Sequence, residues 1–324
     1  MNHEVPQRVT ELGTTLPERT DGAFIVFASP ETRCLGSSRL FKGYKAEAVC
    51  ILVIADEPNS ERTKNVQQLR DQCKDAGPIE EITVQHADVV FGIDKLVQVI
   101  RQSVGKGAPV TVDISTFPKN SLLVALRAID RIGTVSRVRL VYTEPGSYRT
   151  RLDQPLSFGL RNVEVVPTFV APYQANEELV LVMFLGYERD RAIGMWQRIQ
   201  PHQTVLAIAH PPYHPEWTGT AETLNAQLLA AFAEGDVHRV DPRNPIAARD
   251  FLHRVILPER AGPHANFFIA PTGTKPQAVG VYLFCRAHPQ AATVVYAQPV
   301  EFNHAYLSSG VGPTWLLPCG ESAT

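Results

Sequence analysis

No run of about 18 apolar residues exists in this 324-residue chain, so no membrane-spanning helix is expected. The opening residues, MNHEVPQRVTELGTTLPERTDG, are polar and mixed in charge and lack the apolar segment of an export signal. The cytoplasm is therefore the expected location. Five cysteines (Cys34, Cys50, Cys73, Cys285 and Cys319) form no CxxC pair and no metal-ligand spacing. Cys50 and Cys285 lie inside apolar runs and read as small buried hydrophobes. Excess positive charge is missing too: 31 Lys and Arg face 33 Asp and Glu, for a net charge of −2. That balance gives no global field for duplex nucleic acid, though a local basic pocket could still hold a small anion. The Walker spacing GxxxxGK[ST], the HExxH zinc motif and a nucleophile elbow are all absent. No metal and no cofactor are expected.

What is present is a globular composition, 44% apolar and 20% charged, in a chain long enough for two domains. Its second half reads as a repeat of the first. VTVDISTFPKNSLLVALRAI (110–129) resembles FFIAPTGTKPQAVGVYLF (267–284). Aligned on Pro118 and Pro276, Asp113 falls on Pro271, Ser115 on Gly273, Thr116 on Thr274 and Phe117 on Lys275. Upstream, GAFIVFASPETRC (22–34) resembles LVLVMFLGYERDRA (179–192). Glu31 and Pro118 are 87 positions apart, and Glu188 and Pro276 are 88 apart. Short continuous apolar runs, such as Phe24–Ala28 and Val110–Ile114, read as strands covered on both faces, and amphipathic helical patterns lie between them. The expected fold is α/β: two tandem Rossmann-like parallel-sheet lobes related by internal duplication, a pseudo-dimer in one chain. The expected domains are an N-terminal segment (1–21), lobe 1 (22–150), a connector (151–178) and lobe 2 (179–324). NVEVVPTFV in the connector reads as an extra edge strand.

Ligands of open parallel sheets collect beyond the carboxyl ends of the strands, which directs attention to the turns there. Thr272-Gly273-Thr274-Lys275-Pro276 joins a buried strand to a helix. Gly273 allows close backbone approach, and free amides, helix dipole and Lys275 all favour an anion; a capped turn with a solvated lysine is the bland alternative. On the proline alignment, Ser115 and Thr116 offer hydroxyls but no in-register lysine, and Asp113 reads as a structural cap. The first-strand turns carry Glu31 with Arg33, and Gly186-Tyr187-Glu188 with Arg191. Each Glu–Arg set either pairs with itself or holds a phosphate and a ribose hydroxyl. Tyr187 either stacks on a base or is an ordinary rim aromatic. His210 and His214 have metal-like i, i+4 spacing, but two intervening prolines exclude a regular helix. His210, Glu188 and Glu31 are the candidates for a general base.

The strand, Gly-Thr-Lys turn and apolar helix of residues 267–284, in a small lobe facing a twin, resemble the CARF (CRISPR-associated Rossmann fold) sensor domains of prokaryotic antiviral systems. In motif the likeness rests on Thr272 to Pro276. The resemblance implies a cyclic oligoadenylate bound across the cleft between the lobes, with Gly273, Thr274 and Lys275 against its backbone and the first-strand turns nearby. Some members also cleave that messenger. No effector segment follows the second lobe, so a separate effector protein is expected to receive the signal. An internal pseudo-dimer neither requires nor forbids a homo-oligomer. A phosphodiesterase acting on the same messenger and a scaffold without ligand stand as the alternatives.

Overall fold

The structure is a computed structural model and describes residues 8–13, 16, 19–55, 59–85, 88–148, 156–260, 265–303 and 308–319. It divides into two compact units, residues 1–149 with 308–324, and residues 150–307.

In chain order the first unit holds β1 (Thr10–Leu12), β2 (Thr20–Phe27), β3 (Lys45–Ile54), α1 (Ser60–Cys73) and β4 (Ile79–Val84). It continues with α2 (Val89–Ser103), β5 (Ala108–Asp113), α3 (Lys119–Asp130), β6 (Val135–Thr143) and β7 (Ser147–Tyr148). The second unit holds β8 (Ser157–Val165), β9 (Glu178–Leu185), α4 (Arg189–Ile199), β10 (Gln203–Ala209), α5 (Thr220–Leu224) and α6 (Ala226–Leu229). β11 (Val237–Val240), α7 (Pro245–Arg260), β12 (Ala265–Ala270), α8 (Lys275–Ala287) and β13 (Thr293–Phe302) complete it. Two last strands, β14 (Ser308–Ser309) and β15 (Thr314–Leu317), return to the first unit.

The first sheet runs β1-β15-β6-β5-β2-β3-β4, and the second β11-β10-β9-β12-β13-β8. Read from the fifth strand inward, the parallel strands follow one order in both: β6-β5-β2-β3-β4 and β13-β12-β9-β10-β11. The fold is therefore α/β with two Rossmann-like sheets, but neither sheet is wholly parallel. β15 runs antiparallel to β6, and β8 runs antiparallel to β13. The connector and the C-terminal tail supply these antiparallel strands, with β1 paired outside β15, which shifts the expected boundaries. Residues 157–165 belong to the second sheet, while 308–317 belong to the first rather than to lobe 2.

The continuous apolar runs form the central strands because helices cover both faces. Phe24, Val26, Val49 and Ile51 pack with Leu69 and Cys73 of α1, and Leu181, Met183 and Ile208 pack with Met195 of α4. Full burial of one such side chain contributes about 1.5–3 kcal/mol. All five cysteines are buried and unbridged, and burial pushes the thiols of Cys34, Cys50 and Cys73 up to about 12, far from nucleophilic use. The expected helix over 60–73 is α1. The one expected over 221–233 is instead broken at Asn225, whose amide donates to the carbonyls of Ala221 and Gly186 (both 2.8 Å) in competition with the helical ladder.

The first unit also encloses an ion pair. Arg139 binds Asp21, Thr111 Oγ1 donates to Asp21 (2.7 Å), and Tyr44 donates to the same carboxylate. All four side chains are buried, and burial raises the Tyr44 phenol well above its ordinary value.

Candidate functional site

At the carboxyl end of β2, Glu31 holds Arg33 through two parallel contacts of 3.1 Å. At the end of β9, Glu188 pairs with Arg191, whose other terminal nitrogen donates to the Ala297 carbonyl. The Arg191 guanidinium also lies over the Tyr296 ring, 5.1 Å from its centroid. Both arginines are only 4% exposed, so these are interior pairs that fix the shape of their turns rather than solvated surface pairs. A base at Glu31 or Glu188 would have to give up its arginine. Tyr187 is half-buried, and burial, reinforced by Glu222, pushes its phenol up to about 12. His210 is exposed at the end of β10, with its backbone amide donating to the Val240 carbonyl.

Two buried asparagines, which the sequence reading passed over, hold the first-strand turns from behind. Asn65 donates to the Ser29 carbonyl at 2.8 Å, as Asn225 does to Gly186. With Glu31 matched to Glu188, Ser29 and Gly186 are equivalent. The signal was available for Asn65: Arg62, Asn65, Leu69 and Cys73 form one buried helical stripe with a polar residue in its midst.

The turns after β5 and β12 correct the proline alignment. β5 pairs Asp113 with Val26, and β12 pairs Ala270 with Met183, so Asp113 answers to Ala270 and not to Pro271. Thr116 Oγ1 then donates to the Phe27 carbonyl, and Thr272 Oγ1 to the Phe184 carbonyl. Thr116 thus answers to Thr272, with the turn one residue shorter in the second unit. Three residues further on, Lys119 answers to Lys275. Each is the first residue of its helix. The absence of a matching lysine in the first lobe was an artefact of matching prolines. Pro118 caps α3 from outside whereas Pro276 lies within the first turn of α8, and proline is tolerated at both places.

Other expected ligand contacts are spent inside the fold. Ser115 Oγ donates to Asp113 and accepts from the Thr143 amide (2.8 Å). The hydroxyls of Thr116 and Thr272 are used as described, and all three residues are buried. Asp113 is enclosed by donors from Ser115 and Ser37, yet burial outweighs them and raises its carboxyl. Gly273 has a packing reason: a Cβ there would lie 2.2 Å from Gln277 Oε1. Thr274 and Gln277 form a reciprocal capping box, with Thr274 N to Gln277 Oε1 at 2.9 Å and Gln277 N to Thr274 Oγ1 at 3.3 Å. Thr274 Oγ1 also donates to the Pro242 carbonyl (2.6 Å). Lys119 and Lys275 are half-buried at the starts of their helices, where the peptide dipole and the ammonium charge have the same sign. Among the described residues no group of three His, Cys, Asp or Glu could hold a metal, and no helix is long and apolar enough to cross a membrane.

A solved structure of a Type III CRISPR defence DNA nuclease activated by cyclic oligoadenylate superposes on this chain with a TM-score of 0.52. Identity is 12%, and the match covers 85% of this chain and 64% of that one. The likeness is one of fold. This chain spans less than two thirds of the nuclease's length, so it matches part of that architecture. An A-type ketoreductase from a modular polyketide synthase reaches a TM-score of only 0.20, at 13% identity, over 88% of this chain and 80% of its own, and carries no argument. No family model matches the sequence, and no curated protein does.

Proposed function

We propose that this protein binds a nucleotide second messenger of the cyclic oligonucleotide type, as the sensor of a prokaryotic antiviral defence system. The observation that carries the reading is the equivalence of Lys119 and Lys275, each opening the helix after the fourth parallel strand of its sheet. A cation set at a helix start favours a phosphate twice over, by its own charge and by the peptide dipoles behind it. Two such sites on like-ordered sheets suit a ligand that repeats its own phosphates. Shared strand order, paired Glu–Arg turns and paired asparagines support descent from one duplicated lobe. The fold likeness to a nuclease activated by cyclic oligoadenylate directs the choice of ligand.

Each unit offers its own contacts to such a ligand: Lys119 with the Glu31 turn in the first, and Lys275, the edge of the Gly273-Thr274 turn, Tyr187 and the Glu188 turn in the second. Arg33 and Arg191 act by shaping those turns. The bound protein passes its signal to a separate effector chain in the cytoplasm. Calorimetry of the whole protein with cyclic oligoadenylates and cyclic dinucleotides tests this: heat with one class and none after Lys119→Ala plus Lys275→Ala is the expected result. A folded protein that binds no nucleotide would leave the scaffold reading, which the inward commitment of both arginines favours. Incubation with labelled messenger separates sensing from ring opening, since a sensor returns the label unchanged.

A further inference from the structure

Beyond its fifth strand, each sheet is extended by an antiparallel strand from the chain that follows the other unit's fifth strand. After β6 the chain runs on to β8, which pairs with β13. After β13 it runs on to β14 and β15, which pair with β7 and β6. The C-terminal segment is held at several points in the first unit. Thr314 Oγ1 meets Thr143 Oγ1 at 2.9 Å, and Ser309 Oγ meets Ser147 Oγ at 2.8 Å. Gly312 N donates to the Glu144 carbonyl (2.9 Å), and Glu144 N to that of Pro313 (3.0 Å). A Cβ at Gly312 would lie 2.9 Å from the Pro145 carbonyl, so this close approach requires glycine.

One contact from this segment enters the candidate site. Ser308 Oγ donates to Oε2 of Glu31, the carboxylate that grips Arg33. We propose that Ser308 is a positioning residue for the Glu31–Arg33 turn, and that the C-terminal strap makes the first unit's site depend on sequence lying beyond the second. Ser308 is buried beside a carboxylate that carries two guanidinium contacts, and its hydroxyl fixes which way that carboxylate faces. The inference rests on the nucleotide reading for its functional consequence, but not for its structural one.

The test uses full-length Ser308→Ala and Ser308→Thr. Without ligand, amide exchange over residues 29–36 should quicken in the alanine variant and return towards wild type in the threonine one, while β9 to β13 exchange as before. With cyclic tetra-adenylate, the alanine variant should bind about threefold to tenfold more weakly at an unchanged melting temperature, the range of one side-chain hydrogen bond. Threonine should restore the affinity, whereas Ser308→Val, equal to threonine in bulk but without the hydroxyl, should not; rescue by both would assign the loss to packing and overturn the positioning role. Unaltered exchange over 29–36 in the alanine variant overturns the positioning role. Faster exchange in a protein whose wild type binds no cyclic oligoadenylate and no cyclic dinucleotide upholds the role and removes the nucleotide reading instead.

Discussion

Phe27 and Phe184 occupy the same place in the two sheets, yet they are packed differently. Phe27 meets the ring of Phe117 (centroids 5.0 Å apart), which comes from the turn after β5. Phe184 meets Phe251 of α7 (5.6 Å), and where the first unit has Phe117 the second has Gly273. The glycine leaves room for Gln277 to close its capping box, whereas α3 begins at Pro118 with no side-chain cap. The interiors diverge in the same manner. The first unit buries Asp21 with Arg139 and fills the end of β5 with Asp113 and its serines; in the second, Ala270 stands where Asp113 does. What the two units share is the frame of the turns: a threonine tied to the first strand, a lysine three residues on, a Glu–Arg pair and an asparagine behind it. The same turn geometry thus rests on different interiors.

The sharpest way to separate the halves is Asp21→Ala. It strands a buried guanidinium and should cost about 3–5 kcal/mol, read as an early unfolding transition in denaturant. Glu178, at the start of β9, is exposed, and its replacement by alanine should leave the transition in place. Asp113→Ala comes next. It leaves the Ser115 amide and two serine hydroxyls without their acceptor and should cost roughly 3 kcal/mol. If Lys119 and Lys275 are true counterparts, alanine at either should weaken nucleotide binding by similar factors, about 10-fold or more for a lost charge-assisted contact. A loss confined to Lys275 would break the equivalence.

Smaller effects follow from the caps. Gly273→Ala should cost about 1–2 kcal/mol by pushing Gln277 out of its box, an effect with no counterpart at Phe117. The weakest is a dependence on pH. His253, packed against Phe284 and His288, has its pKa lowered, first by burial and then by His288 and Arg249. The unfolded chain therefore takes up the proton first as pH falls. This contribution to stability is present above about pH 6.5 and is lost below it. Melting temperatures at about pH 7.5 and 5.5 should differ less in His253→Phe than in the wild type.

The order of elements was legible because parallel strands covered on both faces must be continuous apolar runs, and α1 could be read to its last residue. The antiparallel edges were harder. β15 is four residues long and owes its place to a partner 171 positions earlier, as Thr314 beside Thr143 shows. Register in the turns was misread because proline marks two different positions at a helix start. The true marker, a threonine hydroxyl on a strand carbonyl, leaves no trace in spacing. Glu31 with Arg33 and Glu188 with Arg191 were identified by sequence, but their burial was decided by what packs over them. Asn225 lay in a helical pattern whose break came from its own side chain.

The strand gift between the halves also orders their completion during synthesis. β8 leaves the ribosome before any parallel strand of the second sheet, so that sheet can close as soon as β13 emerges. β6 emerges far earlier and must keep its outer edge unpaired until β15 is made, a state prone to wrong pairings. Limited proteolysis of stalled nascent chains would reveal the opposite sequence if β6 were protected first. The half that is translated first is the half that finishes last.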